Sequence, residues 1–250
     1  MPQDNPFLLS RARRAWESLS EFRRTRERNK RYCYGDQWSD VITVDGKTMT
    51  EREYIERQGS VPLKSNLIRR LVRNVIGIWR SQDKQPVCTA RDRDEQEYGE
   101  TMSTVLQYNW QLNRMDELNA RCLEEFLISS MAVQKKTFGR RNRQTDCWTD
   151  LVQPDRFFID EGMRDVRGWD VQLLGEVHDM SFEALCAAFA HSAADCRQLA
   201  ELYPCHAHTR EQGSRAFGQD NGLDDDFLHS ADSGLCRVIE VWTKENRPFY

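Results

Sequence analysis

The segment NLIRRLVRNVIGIWR, residues 66–80, carries the clearest helical signal in the sequence. Its apolar side chains recur at helical spacing and predict one broad apolar face. That face comprises Leu67, Ile68, Leu71, Val72, Val75, Ile78 and Trp79. Arg69, Arg73 and Arg80 fall on the opposite side, within about 40° of one another. The pattern predicts an amphipathic helix over Leu67–Arg80.

The chain before this helix is first basic and then aromatic. Residues 23–38 read RRTRERNKRYCYGDQW. An apolar stripe over Leu8–Phe22 predicts a long N-terminal helix, which we expect to continue, exposed, until Gly35–Asp36 ends it. Three aromatic side chains are expected to anchor the following turn in the core. They are Tyr32, Tyr34 and Trp38.

Short local signals mark several element boundaries. Asp45–Gly46 within VITVDGKTMT is typical of a tight hairpin turn. Thr50 and Glu53 fit a capping box that begins a brief helix, and Ser181 is expected to cap a later one. Pro86 is expected to open a short strand, PVCTAR.

Two further helices are predicted near Gln96–Leu112 and Met115–Met131. Only Asn113 and Arg114 separate them, so they are expected to form an αα-hairpin. Their inward-facing side chains are predicted to be Tyr98, Met102, Val105, Leu106 and Trp110 in the first helix and Met115, Leu118, Cys122 and Phe126 in the second.

The remaining sequence has a mixed pattern. Strands are predicted at Val133–Phe138, Cys147–Val152, Val171–Val177 and 235–244, and a second short helix at Asp195–Tyr203. The first two strands are joined by the basic turn GRRNRQTD. Residues 205–233 are polar and predict a long loop.

Charge is distributed unevenly along the 250 residues. Residues 1–84 contain 18 Lys and Arg against 11 Asp and Glu, whereas the rest contain 18 against 29. A basic front and an acidic back favour contact with a polyanion or between copies of the chain. The eight cysteines show no CxxC pairing and are expected to be reduced thiols of an intracellular protein. The longest apolar run, Ala184–Ala190, is too short to cross a membrane.

Tests for catalytic and metal-binding motifs fail. Gly213–Gly218 has the outline of a phosphate-binding loop but lacks the required Lys and Ser or Thr. Cys205, His206 and His208, even with Cys196, lack the second ligand pair of a zinc site. The carboxylates of Asp220–Asp232 lie in one polar run rather than on several strands. His178 has no nucleophile in a motif context. We therefore predict no catalytic residue, no metal and no cofactor.

The basic residues remain as candidate contacts for a polyanion or a neighbouring subunit. They are Arg69, Arg70, Arg73 and Arg80 in the amphipathic helix, and Lys135, Lys136, Arg140, Arg141 and Arg143 in or near the basic turn. No zinc-finger or RRM signature accompanies them, so base-specific recognition is not predicted.

The order of the segments resembles the N-terminal half of a tailed-bacteriophage portal protein, of the type found in Bacteroides phages and prophages. Four motifs carry the resemblance: Y-G-D-Q-W after the basic helix, the N-L-I-x-x-x-V helix, V-x-P-x-x-F-F-x-D, and the V-x-E-V-W strand. It covers nearly the whole chain except Cys205–Ser233.

The resemblance implies an α+β structural protein rather than an enzyme. It implies the mainly helical wing of a portal with a small antiparallel β-sheet, while the stem and clip are expected to lie outside this chain. Portals form homo-oligomeric rings, usually of twelve copies, at one capsid vertex of the virion, and are assembled in the host bacterial cytoplasm. The implied partners are the terminase large subunit, capsid and scaffold proteins, a tail adaptor, and double-stranded DNA without sequence specificity; a membrane is not among them.

Within such a wing, we expect residues 1–131 to be helical, with the amphipathic helix at 63–81 and the αα-hairpin at 94–131. Residues 132–250 are expected to be mixed, with the polar loop 205–233 and the terminal strand 235–244. The charges of Arg23–Arg31 are expected to face an adjacent subunit. Two alternatives remain open: a non-specific nucleic-acid-binding module, and a metal-dependent nuclease that uses Asp220–Asp232.

Overall fold

The computed structural model describes residues 6–82, 85–141, 143–165, 167–203, 225–228, 230 and 234–244. These residues form helices and small antiparallel sheets, so the predicted α+β class is confirmed. They belong to two compact units. The central unit is Phe22–Asp155, and the terminal unit consists of the described parts of Met1–Glu21 and Arg156–Tyr250. None of the described helices combines the length and apolar character needed to cross a membrane.

The central unit begins within α2 and contains four further helices and two hairpins among the described residues. The elements are α2 (Ser20–Cys33), β1 (Val41–Val44), β2 (Lys47–Thr50), α3 (Glu51–Arg57), α4 (Leu67–Arg80), α5 (Gln96–Leu112), α6 (Met115–Ser129), β3 (Val133–Arg141) and β4 (Gln144–Val152). A short 3-10 turn, Arg93–Glu95, precedes α5.

Helix α4 has the bounds predicted from its sequence because Asn66 caps its first turn. The Asn66 side chain accepts a hydrogen bond from the Arg69 amide at 3.0 Å, which satisfies one of the unpaired amides of the helix start. Its amide nitrogen donates to the carbonyl of Cys33 at 2.8 Å, at the end of α2. Cys33, Val72 and Ile128 then form a small buried cluster of α2, α4 and α6.

The predicted turn and cap between β1 and α3 are confirmed. Asp45 and Gly46 have φ values of 52° and 73°, as a tight hairpin turn requires. β1 and β2 pair antiparallel from Val41 with Thr50 to Val44 with Lys47. The Thr50 hydroxyl accepts from the Glu53 amide, and the Glu53 carboxylate accepts from the Thr50 amide.

The αα-hairpin is also confirmed, and the hairpin after it is longer than predicted. Arg114 adopts the left-handed conformation, φ 50°, between α5 and α6. β3 and β4 pair from Val133 with Val152 to Arg141 with Gln144. Arg140 and Arg141, predicted in a turn, therefore lie in β3. The alternating pattern of the flanking residues continues through the basic stretch, because arginine side chains are accommodated on exposed strand faces.

The predicted strand PVCTAR is wrong. Residues 85–90 have no regular secondary structure, because their polar groups bond to α5 rather than to a neighbouring strand. The Ser103 hydroxyl accepts from the Cys88 amide at 2.8 Å and lies 3.2 Å from the Cys88 carbonyl. Gly99 leaves room for this close approach, since a Cβ there would lie 3.1 Å from the Ala90 nitrogen.

The terminal unit is built on an antiparallel sheet in the order β5-β6-β7. Its described elements are α1 (Pro6–Ser18), β5 (Phe157–Ile159), β6 (Leu173–Met180), α7 (Phe182–Phe189), α8 (Ala193–Leu202), α9 (Asp225–Leu228) and β7 (Cys236–Thr243). The Ser181 cap of α7 is confirmed, because its hydroxyl accepts from the Ala184 amide.

An aromatic cluster forms the core of the terminal unit. Trp16, Phe158 and Phe227 are buried, with ring centroids 5.9 to 6.3 Å apart. Gly175 in β6 lies beneath the Phe158 ring, and a Cβ at this position would overlap both that ring and the Glu240 carbonyl. A side chain at this position would require the Phe158 ring and the β7 backbone to shift.

The predicted single N-terminal helix is wrong, because the chain breaks at Leu19 between α1 and α2. The Ser18 hydroxyl donates to the Ala15 carbonyl at 2.8 Å, which is the carbonyl a continuous helix would offer to the Leu19 amide. The Leu19 amide bonds instead to Trp16, one residue nearer, at 3.2 Å.

Most of the predicted loop 205–233 lies outside the described residues, as do the Cys205, His206 and His208 set and Gly213–Gly218. Within the loop, Asp225–Leu228 form α9. Phe227 is buried, so this part of the loop contributes to the aromatic core.

Candidate assembly surface

The apolar face of α4 is largely open in this chain. Of its side chains only Val72 is buried. Leu71 is 65% exposed and Ile78 is 66% exposed. The other exposed members of the face are Leu67, Ile68 and Val75. Burying a Leu or Ile side chain contributes about 1.5–3 kcal/mol, so a helix face of this kind is unfavourable unless another surface covers it.

Helix α5 has the same character, and the prediction that its apolar side chains point inward is wrong for most of them. Tyr98 is 77% exposed, and Met102, Val105 and Leu106 are also exposed. Periodicity correctly gives one apolar face, but it does not say whether the covering surface belongs to the same chain. In α6, Met115 and Cys122 are buried as predicted, whereas Phe126 is exposed.

An open cleft adds to this apolar surface. It has a volume of about 430 Å³ and lies between α5 and the β3–β4 hairpin. Its lining includes Leu106, Trp110, Phe138 and Trp148, with Lys136 at the polar side. Such a cleft can receive an aromatic or aliphatic side chain from another molecule.

The arginines of α4 do not share one environment. Arg69 is half-buried, and its guanidinium lies 4.1 Å from the ring centroid of Tyr34, a cation–π distance. The Tyr34 hydroxyl in turn donates to Glu124 at 3.2 Å. Arg70, Arg73 and Arg80 are exposed. Arg69 therefore contacts Tyr34, which the sequence predicts as an anchor residue, whereas the other three arginines of α4 are exposed to solvent.

The basic residues of the β3–β4 hairpin also divide into two kinds. Arg141 binds Asp150 through two hydrogen bonds, at 2.9 and 2.6 Å, and lies over Trp148. The hydrogen bond from Arg141 holds the pKa of the Asp150 carboxyl below its ordinary value. Lys136, Arg140 and Arg143 are exposed, and Lys135 is half-buried.

Helix α2 contains a buried arginine that the sequence analysis did not single out. Arg26 is 4% exposed. Its guanidinium bonds to Glu125 of α6 at 2.8 Å and lies 3.3 Å from Asp155. A signal for this was present in the sequence, because Phe22, Arg26 and Cys33 follow one helical stripe. Burial without these carboxylates would leave an uncompensated charge.

A second charge network fixes the end of α2. Asp40 accepts from the Tyr32 hydroxyl at 2.7 Å, and lies 2.9 Å from nitrogens of both Arg28 and Arg31. Burial alone would raise the pKa of Asp40, but the Tyr32 hydrogen bond and the two arginine charges outweigh it and lower the pKa. Trp38 donates to the Leu63 carbonyl at 3.2 Å. These contacts show that part of the charge in Arg23–Arg31 is neutralised within the chain.

The described central unit thus combines open apolar helix faces with internally paired charges. Exposed apolar helix faces of this kind are typical of surfaces that contact other proteins. The fold and this surface are those expected of a protein that binds other protein surfaces.

The comparison with known proteins identifies the family. Residues 9–248 match the model of the Phage P22-like portal protein family, and the chain belongs to that family. The predicted relationship to portal proteins is confirmed, whereas the Bacteroides type stays a prediction. A search of the curated proteins finds no match.

Proposed function

We propose that this chain is part of the wing of a portal ring, in which copies pack side by side through the open faces of α4 and α5. The ring stands at one vertex of the capsid, and double-stranded DNA passes through it during packaging and ejection. Twelve copies are the expected number. The protein performs no chemistry itself, and the terminase large subunit supplies the motor.

The observation that carries this proposal is the exposure of the α4 face. Leu67, Leu71 and Ile78 are each more than half exposed, although α4 has the most distinct apolar face among the described helices. In a closed ring every copy makes the same contact with its neighbour, so the apolar face of each copy can be buried.

The exposed basic residues are assigned a secondary role. A channel wall that releases many counterions from DNA would hold the duplex and impede its passage. We therefore propose that Arg70, Arg73 and Arg80, with Lys136, Arg140 and Arg143, mainly face neighbouring subunits, and that any DNA contact is independent of base sequence. Capsid and scaffold proteins and a tail adaptor are the other proposed partners, with assembly in the host cytoplasm and the virion as final location.

Residues 1–131 are proposed as the helical part of the wing and residues 132–250 as its mixed part. The aromatic residues at the end of α2 and in the following turn act as structural anchors in this proposal. The Tyr32 hydroxyl donates to Asp40, and the Trp38 indole donates to the Leu63 carbonyl.

Oligomeric state tests the proposal directly. Leu71→Glu and Ile78→Glu place charges on the α4 face without removing a buried contact. Leu202→Glu is the matched control, since Leu202 is 73% exposed on α8 of the terminal unit. Mass photometry and light scattering should find higher-order species for the original chain and for Leu202→Glu, and monomer for the α4 variants, with unchanged circular dichroism in all. Equal assembly by the α4 variants, or a monomeric original chain at high concentration and low salt, would contradict the proposal.

The exposed arginines of α4 favour one rival function, non-specific nucleic-acid binding by the monomer. That function predicts tight binding to a mixed-sequence duplex, a steep salt dependence, and weaker binding after Arg70→Gln with Arg73→Gln. The portal proposal predicts weak binding by the monomer. Fluorescence anisotropy at two salt concentrations distinguishes them.

A further inference from the structure

Two glutamates face each other across neighbouring strands of the terminal unit. Glu176 in β6 and Glu240 in β7 are direct partners in the strand register. Like charges directly opposite each other destabilise a sheet, and a cation bound between them offsets this repulsion. His178, two residues along β6, projects from the same face and is the side chain that meets them.

The three side chains converge on one point. The His178 Nε2 atom lies 2.9 Å from Oε2 of Glu240 and 3.6 Å from Oε2 of Glu176. One ligand atom from each residue lies within 4.8 Å of the others. With metal–ligand bonds of about 2.1 Å, neighbouring ligand atoms are separated by about 3.0 Å in octahedral and about 3.4 Å in tetrahedral geometry. The two histidine distances are close to these values, and the two carboxylate oxygens lie within 4.8 Å of each other. Rotation of the glutamate side chains can therefore bring all three ligand atoms to one ion.

The surroundings also orient the ligands. The Trp242 indole donates to Oε1 of Glu240 at 2.9 Å, which leaves Oε2 directed at His178. Hydrogen bonds of this kind fix ligating carboxylates in metal sites. The side chains of Glu176, His178 and Glu240 are 18%, 32% and 33% exposed, so the site is half-buried.

We propose that Glu176, His178 and Glu240 bind one divalent transition-metal ion, with Zn²⁺ the representative, and that the ion joins β6 to β7. The two carboxylates offset the charge of the ion, and the imidazole supplies a nitrogen ligand. The imidazole favours Zn²⁺ over Mg²⁺ and Ca²⁺, which prefer oxygen ligands only. This site is independent of the surfaces used for ring assembly above, and it replaces the sequence-based expectation of no metal.

Cobalt binding tests the proposal, because Co²⁺ substitutes for Zn²⁺ and absorbs visible light. The full chain is stripped with chelator and titrated with Co²⁺, and Zn²⁺ then displaces the cobalt. One equivalent should bind, with a spectrum that lacks the sulfur-to-metal charge-transfer band of cysteine ligation. His178→Gln and Glu240→Gln should each weaken binding at least tenfold, and Trp242→Phe should weaken it about tenfold. His191→Gln, which changes an exposed histidine before α8, should leave binding unchanged.

A thermal shift measurement separates metal binding from loss of folding. Zn²⁺ should raise the melting temperature of the original chain and of His191→Gln, whereas Mg²⁺ should not. In chelator, Glu240→Gln should still melt in one cooperative transition, which shows that its weaker metal binding does not result from loss of folding. Cobalt binding that persists in His178→Gln, a charge-transfer band from thiolate, or no saturable binding by the original chain would each overturn the proposal.

Discussion

Replacing Arg26 should destabilise the central unit more than replacing any surface arginine. The Arg26 side chain is 4% exposed, while Glu125 is 18% and Asp155 39% exposed. Removing one partner of a fully buried ion pair costs about 3–5 kcal/mol, and the partial exposure of the two carboxylates reduces the expected cost for Arg26→Met to about 2–4 kcal/mol. Methionine fills much of the vacated volume, so the loss reflects mainly the uncompensated carboxylates rather than a cavity.

Urea unfolding followed by circular dichroism measures this effect. Arg121→Met is the control, because Arg121 is 62% exposed and pairs with Glu117 one helical turn away. Exposed pairs of this spacing contribute about 0.3–0.5 kcal/mol. Adding Glu125→Gln to Arg26→Met should recover part of the stability, since one of the unpaired charges is removed. Equal destabilisation by Arg26→Met and Arg121→Met, or a further loss in the double variant, would refute this reasoning.

Three smaller perturbations test other contacts. Asp40 has a lowered pKa in the folded chain. Its charged form therefore stabilises the fold above the pKa of an unfolded Asp, about 3.9, and this contribution is lost as the pH falls toward the lowered pKa of the folded chain. The stability difference between the original chain and Asp40→Asn should shrink when melting is measured from pH 7 to pH 3. Gly175→Ala should lower stability by about 1–3 kcal/mol through overpacking, whereas Gly139→Ala, with no neighbour within 4 Å of the new Cβ, should melt near the original temperature. Asn66→Ala should lower the free energy of unfolding in urea by about 1–2 kcal/mol, because a helix cap and a second hydrogen bond are lost. Asn74→Ala, at an exposed site on the same helix, is the control and should leave the free energy of unfolding unchanged.

The elements predicted correctly are those determined by neighbouring residues. The bounds of α4, the turn at Asp45–Gly46 and the capping box at Thr50 each depend on backbone conformations or hydrogen bonds within a few residues. The strand predicted at PVCTAR failed for the opposite reason. Its partner is Ser103, which lies on a helix that the local pattern cannot place beside it.

The candidate surface was predicted only in part, because polarity and burial are separate properties. The alternation of Arg and Glu in α2 suggested a uniformly exposed helix, yet Arg26 is buried with its carboxylates and Arg31 binds Asp40. Conversely, the apolar side chains of α5 suggested a core, yet Tyr98 and Met102 are exposed. A helical pattern predicts which residues share one face of a helix, but it does not predict whether tertiary or quaternary contacts bury that face.

The energetics of the α4 face indicate why assembly should be all-or-none. Five apolar side chains of α4 are each about half exposed, and this surface is available for burial against a neighbouring copy. They are Leu67, Ile68, Leu71, Val75 and Ile78. At about 1.5–3 kcal/mol for full burial of one such side chain, the α4 face contributes about 5 kcal/mol in total. Association costs about 4–15 kcal/mol in lost translational and rotational freedom, so burial of this face alone barely offsets that cost. The face of α5 has to be buried in the same contact for a stable pair, and one charge on α4 should then abolish the ring rather than weaken it gradually.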